Sequence, residues 1–348
     1  MRHSTNPQRP AEFYRSLPKV DLHRHLEGSL RFETVRELAR SQGMDLPATA
    51  QLKGMVQVQA DEPLTFENFL SKFVTLRLFY RSPEIIGRIT REAIEDAAAD
   101  NVRYLELRFT PVALSRAQDF PLDKVMDWVI AGASQAENEF GVKTRLIASM
   151  NRHESPALGA QVTSLAVERI QAGIVGIDLA GNEASFSAQP FREIINYAKE
   201  QGLHVCIHAG EWHTGENVAQ AIELLGAERI GHGIRVFDSP RAVELARERN
   251  TSFEVCITSN YQSGAVAALE AHPITRMVES GLNVTINSDD PSISNITLSD
   301  EYRLACEVLG FSLQGLRQRV FAATQAAFLP PPQRLALGEA ILQDFPLD

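Results

Sequence analysis

The sequence predicts an α/β fold: a (β/α)8 barrel of the TIM type with a helical insertion after its first strand. Three observations point there. Eight apolar runs of strand length recur along the chain, helix-period segments lie between them, and polar side chains collect at the ends of the runs. Strands alternating with helices imply parallel pairing through right-handed crossovers. An open doubly wound sheet is the lesser alternative. In a barrel all strand ends converge on one mouth, whereas in an open sheet only those near a switch point do so. His23, His25, Glu106, Arg108, Asn151, Asp178, His208, His232, Ser259 and Asp289 fall at or just beyond the ends of different runs, which favours the barrel.

The elements follow in order. The first run, residues 20–25, ends in His23-Arg24-His25. Period-two alternation places both imidazoles on one face, with Asp21 expected on the same face beneath the mouth. Residues 30–101 form an unusually long connection, in which Phe66, Phe69, Leu70 and Phe73 share a helical face. That face either packs onto the barrel or serves as an apolar lid. Ser82-Pro83 opens a helix, with Ser as N-cap and Pro at the first position. Ile85, Ile86, Ile89, Ala93, Ile94 and Ala97 then line one side. Further runs at 102–109, 144–150, 174–179, 204–208 and 229–233 supply the next five strands. Ser239-Pro240 opens another helix, followed by Val243, Leu245 and Ala246, before the last runs at 252–257 and 283–287. With no internal repeat, low-complexity tract or Gly/Ser linker, residues 1–348 are expected to form a single domain.

Bulk properties exclude some functions. A net charge of -10 over 348 residues argues against binding a nucleic-acid backbone, which wants a basic face. No run reaches the length of a membrane span, and the first residues lack an apolar signal core, so a cytoplasmic location and no membrane partner are expected. Cys206, Cys256 and Cys306 are too few and too scattered for a disulfide framework. They read as buried small hydrophobes.

The chemistry centres on Asn287-Ser288-Asp289-Asp290-Pro291. Adjacent carboxylates at the end of a buried strand repel one another and need compensation, for which a metal dication is well suited. His23, His25 and His208 are the expected co-ligands, and three imidazoles with one carboxylate make a candidate zinc set. Alternation lets Asp289 face the metal while Asp290 points across the mouth. In His208-Ala209-Gly210-Glu211, the loop carboxyl of Glu211 suits a proton donor, since a dry pocket raises its pKa. His232, held between Gly231 and Gly233, can steer or accept the proton of a water. Gly181-Asn182-Glu183 offers backbone donors and another carboxylate at the rim, while His213 and Glu216 read as plain loop residues. The absence of lysine between Lys143 and Lys199 favours one ion over two. The Pro-Cys-x-x-Cys signature of cysteine-ligated deaminases is missing.

Taken together, Leu22-His23-Arg24-His25-Leu26-Glu27-Gly28, Asp178-Leu179-Ala180-Gly181, His208-Ala209-Gly210-Glu211, Arg229-Ile230-Gly231-His232-Gly233 and Asn287-Ser288-Asp289-Asp290-Pro291 resemble the adenosine deaminase family. Phe69-Leu70-Ser71-Lys72-Phe73 is similar to that family's lid helix, and Cys256-Ile257-Thr258-Ser259-Asn260 to its bacterial-type branch. The motifs run in family order from about Lys19 to Tyr302. The resemblance implies an amidohydrolase-type barrel holding one Zn2+ per chain on His23, His25, His208 and Asp289. It implies that Glu211 protonates a purine ring nitrogen, and that His232 orients the attacking water and helps deprotonate it. Asp290 would hydrogen-bond purine and water, and Gly181 would donate its N–H to the ring.

The implied reaction is hydrolytic deamination of adenosine and 2′-deoxyadenosine to inosine and 2′-deoxyinosine, with a small purine nucleoside as the partner. Three departures bear on the substrate. Glu27 stands where Asp is common and where the family reaches the ribose 5′ hydroxyl, Ser288 replaces a frequent Thr, and Asn182 replaces a frequent Asp. The alternatives are therefore adenine or a 5′-modified adenine nucleoside such as 6-aminodeoxyfutalosine. A catalytically dead binding scaffold is the remote alternative, and it would be marked by loss of a ligand or of the acid.

Overall fold

β-branched and aliphatic runs too short for helices pair here as eight parallel strands in chain order. The computed structural model describes residues 9–44 and 47–346. The strands are β1 (Lys19–His25), β2 (Val102–Phe109), β3 (Lys143–Asn151), β4 (Ile174–Ala180), β5 (His204–Ala209), β6 (Arg229–His232), β7 (Ser252–Val255) and β8 (Asn283–Ile286). Alternating helices cover the sheet, giving a nearly closed TIM-type barrel. Closure comes where β8 runs out: Asp289 N–H donates to His23 O at 2.8 Å and His25 N–H donates to Asp289 O at 2.8 Å. Among the described residues no helix is long and apolar enough to cross a membrane.

Each strand lies where the apolar runs place it, but β7 stops at Val255 instead of 257. Cys256 and Ile257 are apolar enough to extend the run, yet Ile257–Gln262 is a helix. Its first N–H groups are taken by a distant side chain: Glu301 accepts from Ile257 N at 2.6 Å and Thr258 N at 3.1 Å. A cap supplied by tertiary contact leaves no mark in the local sequence.

The long first connection holds the helices Phe32–Ser41, Thr49–Val56, Phe66–Leu76 and Pro83–Ala99. Ser82 caps the last of these, its hydroxyl oxygen accepting from Ile85 N, and Ser239 likewise caps Pro240–Glu248 through Ala242 N. Ile86, Ile89, Ala93, Ile94 and Ala97 are buried against the barrel as the periodicity predicts, while Ile85 is half-buried.

Two expectations are corrected inside the barrel. A register shift between Asp21 and Arg24 breaks the alternation in β1. Asp21 therefore bonds Arg24 Nε (3.0 Å) and Ser288 Oγ (2.6 Å) instead of standing beneath the histidines. Glu106 and Arg108 belong to the barrel interior and do not line the mouth. Arg229 pairs with Glu106 and Glu254, and Arg108 pairs with Glu254 (2.8 Å) and Asp178 (3.5 Å), all within a few per cent of full burial. Isolated charges there would each be costly, so they occur as a connected network. Burial alone would raise the pKa of Glu254, but Arg108, Arg229 and His23 hold it well below the usual carboxylate range.

Candidate active site

At the mouth, β1, β5 and the turn after β8 bring four predicted side chains together. The ligand atoms of His23, His25 and His208 lie within 4.8 Å of one another. Asp289 Oδ1 stands 3.3 Å from His23 Nε2 and 3.4 Å from His25 Nε2. Asp289 reaches this position through a left-handed backbone, φ 61°. Gly231 makes the crowding possible: a Cβ there would lie 3.0 Å from the His23 ring and 3.1 Å from that of His208.

The donor set fits a metal ion. His23 Nδ1 is engaged by Glu254 at 2.8 Å, and His208 Nδ1 by Asp178 at 2.9 Å. Carboxylates on the far nitrogens fix ring orientation and turn Nε2 toward the common point, as in metal-bound histidines generally. His23 Nε2 is buried and has no hydrogen-bond partner. Three imidazoles and a carboxylate match the preferences of zinc. Cys256 also lies within reach of His23 and Asp289, and burial pushes its thiol well above the ordinary range.

Asp289 and Asp290 separate electrostatically. Burial opposes ionisation of Asp289, but His23, His232 and His25 hold its pKa well below the usual range. Burial, then Asp289, Glu27 and Glu211, push Asp290 well above it. Asp290 Oδ1 is buried without a hydrogen-bond partner, and a Cβ on Gly28 would sit 1.8 Å from it. Only glycine leaves that carboxyl room.

Glu211 sits on the loop after β5, and burial, then Asp289 and Glu183, raise its pKa strongly. Such a carboxyl keeps its proton and can give it away. The loop is gathered by Glu183, which the sequence placed at the rim. Its carboxylate accepts from the N–H groups of Gly210 (2.7 Å), Glu211 (2.7 Å), Trp212 (2.8 Å) and His213 (3.1 Å). Replacing Glu183 by Ala frees this loop and is expected to lower kcat by about a hundredfold while bound metal is retained. Steady-state kinetics with metal analysis checks this.

A cavity of about 90 Å³ is lined by His25, Glu27, Phe69, Phe73, Gly181, His208, Glu211, His232, Asp289 and Asp290. Every predicted site residue therefore faces one space, except His23, which lies fully buried beneath it. Phe69 and Phe73 come from the Phe66–Leu76 helix, so the apolar face both packs inward and covers the mouth. Glu27 Oε1 accepts from Thr110 N at 2.7 Å, while Oε2 is buried without a hydrogen-bond partner. Ser288 and Asn182 are turned to structural tasks, Ser288 on Asp21 and Asn182 accepting from Ala184 and Ser185 N–H in a turn.

Sequence reasoning missed Glu254, His272, Arg77 and Trp212, and gave Asn260 no role beyond its place in a motif. Arg77 and Trp212 line the cavity, whereas the others reach it through partners. Glu254 gave one usable signal, a carboxylate inside an otherwise apolar strand.

The family model described as adenosine deaminase matches residues 18–344. The chain is 36% identical over 328 residues to an adenosine deaminase of Klebsiella pneumoniae, covering 94% of this chain and 98% of that one. An amidohydrolase from Burkholderia ambifaria with bound Zn superposes with a TM-score of 0.88 at 26% identity, covering 96% of this chain and 92% of that one. Adenine deaminase from Arthrobacter aurescens gives a TM-score of 0.86 at 28% identity, over 94% and 98% of the two chains.

Proposed function

The chain belongs to the adenosine deaminase family, and from that premise we propose that it hydrolyses adenosine and 2′-deoxyadenosine to inosine and 2′-deoxyinosine with release of ammonia. The observation that carries the reading is a buried carboxyl, Glu211, whose pKa is raised by burial and by neighbouring carboxylates, facing the same small cavity as His25, His208 and Asp289 of the His23, His25, His208 and Asp289 cluster. We assign these four residues to one Zn2+ ion, which when bound supplies a Lewis acid that lowers the pKa of water toward neutrality.

The other roles follow from the cavity. Glu211 delivers a proton to the purine ring nitrogen beside the amino-bearing carbon, drawing electrons from that carbon. Water oxygen adds to the carbon; one water proton passes to the amino group, which leaves as ammonia, and the other restores Glu211, leaving a carbonyl beside the protonated ring nitrogen. His232 orients the attacking water, and Asp290 hydrogen-bonds purine and water through its unpartnered oxygen. Gly181, with its left-handed φ of 93°, presents backbone to the ring, while Phe69 and Phe73 cover the apolar face and exclude bulk water.

Two observations favour a second reading, adenine itself, while a 5′-modified adenine nucleoside, bulkier than adenosine, would rest on Glu27 alone. A cavity of about 90 Å³ falls well below the roughly 300–1,000 Å³ of common ligand sites. Glu27 also carries one more methylene than Asp. Relative kcat/KM for adenosine and adenine, in the wild type and Glu27→Asp, separates the readings by sign. If Glu27 holds the ribose, shortening it lowers the adenosine-to-adenine ratio by about tenfold. A ratio that rises instead means that Glu27 excludes the sugar.

A further inference from the structure

A buried file of side chains runs from the catalytic cavity to the wall behind β7. The backbone N–H of Ile274 donates to His272 Nδ1 at 3.2 Å. His272 Nε2 meets Asn260 Oδ1 at 3.2 Å, and Asn260 Nδ2 meets His232 Nδ1 at 3.1 Å. His232 Nε2 then faces Glu211 Oε2 at 3.5 Å and Asp289 Oδ2 at 3.9 Å. All three side chains are buried.

The polarity of this file is set at its far end. A backbone N–H can only donate, so His272 Nδ1 is the bare, accepting nitrogen. Burial pulls the pKa of His272 down to about 3, which keeps the ring neutral. A neutral imidazole carries one hydrogen, and here it must lie on Nε2. That N–H needs an acceptor, so Asn260 turns its carbonyl oxygen to His272 and its amide nitrogen to His232. The amide nitrogen also stands 3.4 Å from Glu211 Oε1, a second acceptor that suits the same orientation. His232 Nδ1 is then an acceptor, and the single hydrogen of that ring points into the cavity on Nε2.

We propose that Asn260 and His272 are positioning residues that lock His232 as its Nε2–H tautomer, so that it meets the reacting oxygen as a hydrogen-bond donor and not as a base. A donor aimed at an oxygen that gains negative charge stabilises the transition state without moving a proton. This catalytic consequence rests on the deaminase reading above, whereas the tautomer itself does not.

The test is nitrogen-15 NMR of the histidine rings in the metal-loaded protein at neutral pH without substrate, with His232→Gln and His272→Gln for assignment. The expected result is bare Nδ1 and protonated Nε2 on both His232 and His272. Asn260→Asp places a carboxylate on Nδ1 and is expected to move the hydrogen of His232 there. Turnover gives a second reading: His272→Leu should lower kcat by at least about tenfold, with KM and metal content unchanged. His272→Gln should rescue most of that loss, because its amide can accept from Ile274 and donate to Asn260. A hydrogen on Nδ1 of wild-type His232 overturns the proposal, as does His272→Leu with wild-type tautomer and kcat. If the wild type deaminates no aminopurine, the deaminase reading fails while the spectra still decide the tautomer.

Discussion

Replacing Glu211 by Gln is expected to lower kcat by about 10²- to 10⁴-fold, the usual worth of a positioned general acid. Gln fills the same volume and can still receive the Asn260 N–H that lies 3.4 Å from Glu211 Oε1. It has no acidic proton to deliver. Because Glu211 is not among the side chains that converge on the ion, metal content should stay at one per chain. The clamp from Glu183 grips backbone N–H groups, so the loop keeps its place in the variant. Purified Glu211→Gln assayed beside the wild type, with metal quantified in both, separates the outcomes. Undiminished turnover would remove Glu211 from the chemistry.

Stripping the metal with a chelator is expected to abolish turnover, and stoichiometric zinc should restore it. Ligand binding to the native state alone stabilises it, by about 4 kcal/mol when free metal stands a thousandfold above Kd. The midpoint of thermal unfolding should therefore rise on reloading. Asp289→Ala should lose both the gain in midpoint and the activity. A dead binding scaffold need not hold stoichiometric metal, so metal analysis of the protein as isolated already distinguishes that alternative.

Much of this was legible in the chain because barrel strands are short, apolar and end in the residues that work. The triplet His23-Arg24-His25, the Glu211 loop and the Asp289-Asp290 pair all stand at ends the hydropathy pattern reveals, and of these His25, Glu211, Asp289 and Asp290 line the cavity. What stayed hidden depends on contacts across the barrel. Asp21 changed face because of a register shift, which has no local signal. Glu254 and Asp178 orient His23 and His208 from other strands, and Glu183 acts on a loop about thirty residues away in sequence. His272 lies outside every strand and every family motif, and only its bonds to Ile274 and Asn260 reveal it. Ser288 and Asn182 depart from the family pattern, and their hydrogen bonds turn them to Asp21 and to a turn. The question of specificity therefore narrows to Glu27, whose second oxygen faces no protein partner.

Ammonia release and the ultraviolet change of the purine, followed on zinc-loaded protein with adenosine, 2′-deoxyadenosine, adenine and a 5′-modified adenosine, test the central claim most directly. Rapid metal-dependent conversion of adenosine and 2′-deoxyadenosine to the 6-oxopurine products, lost in Glu211→Gln, is the predicted result. No turnover of any of the four by protein carrying one zinc per chain would contradict it.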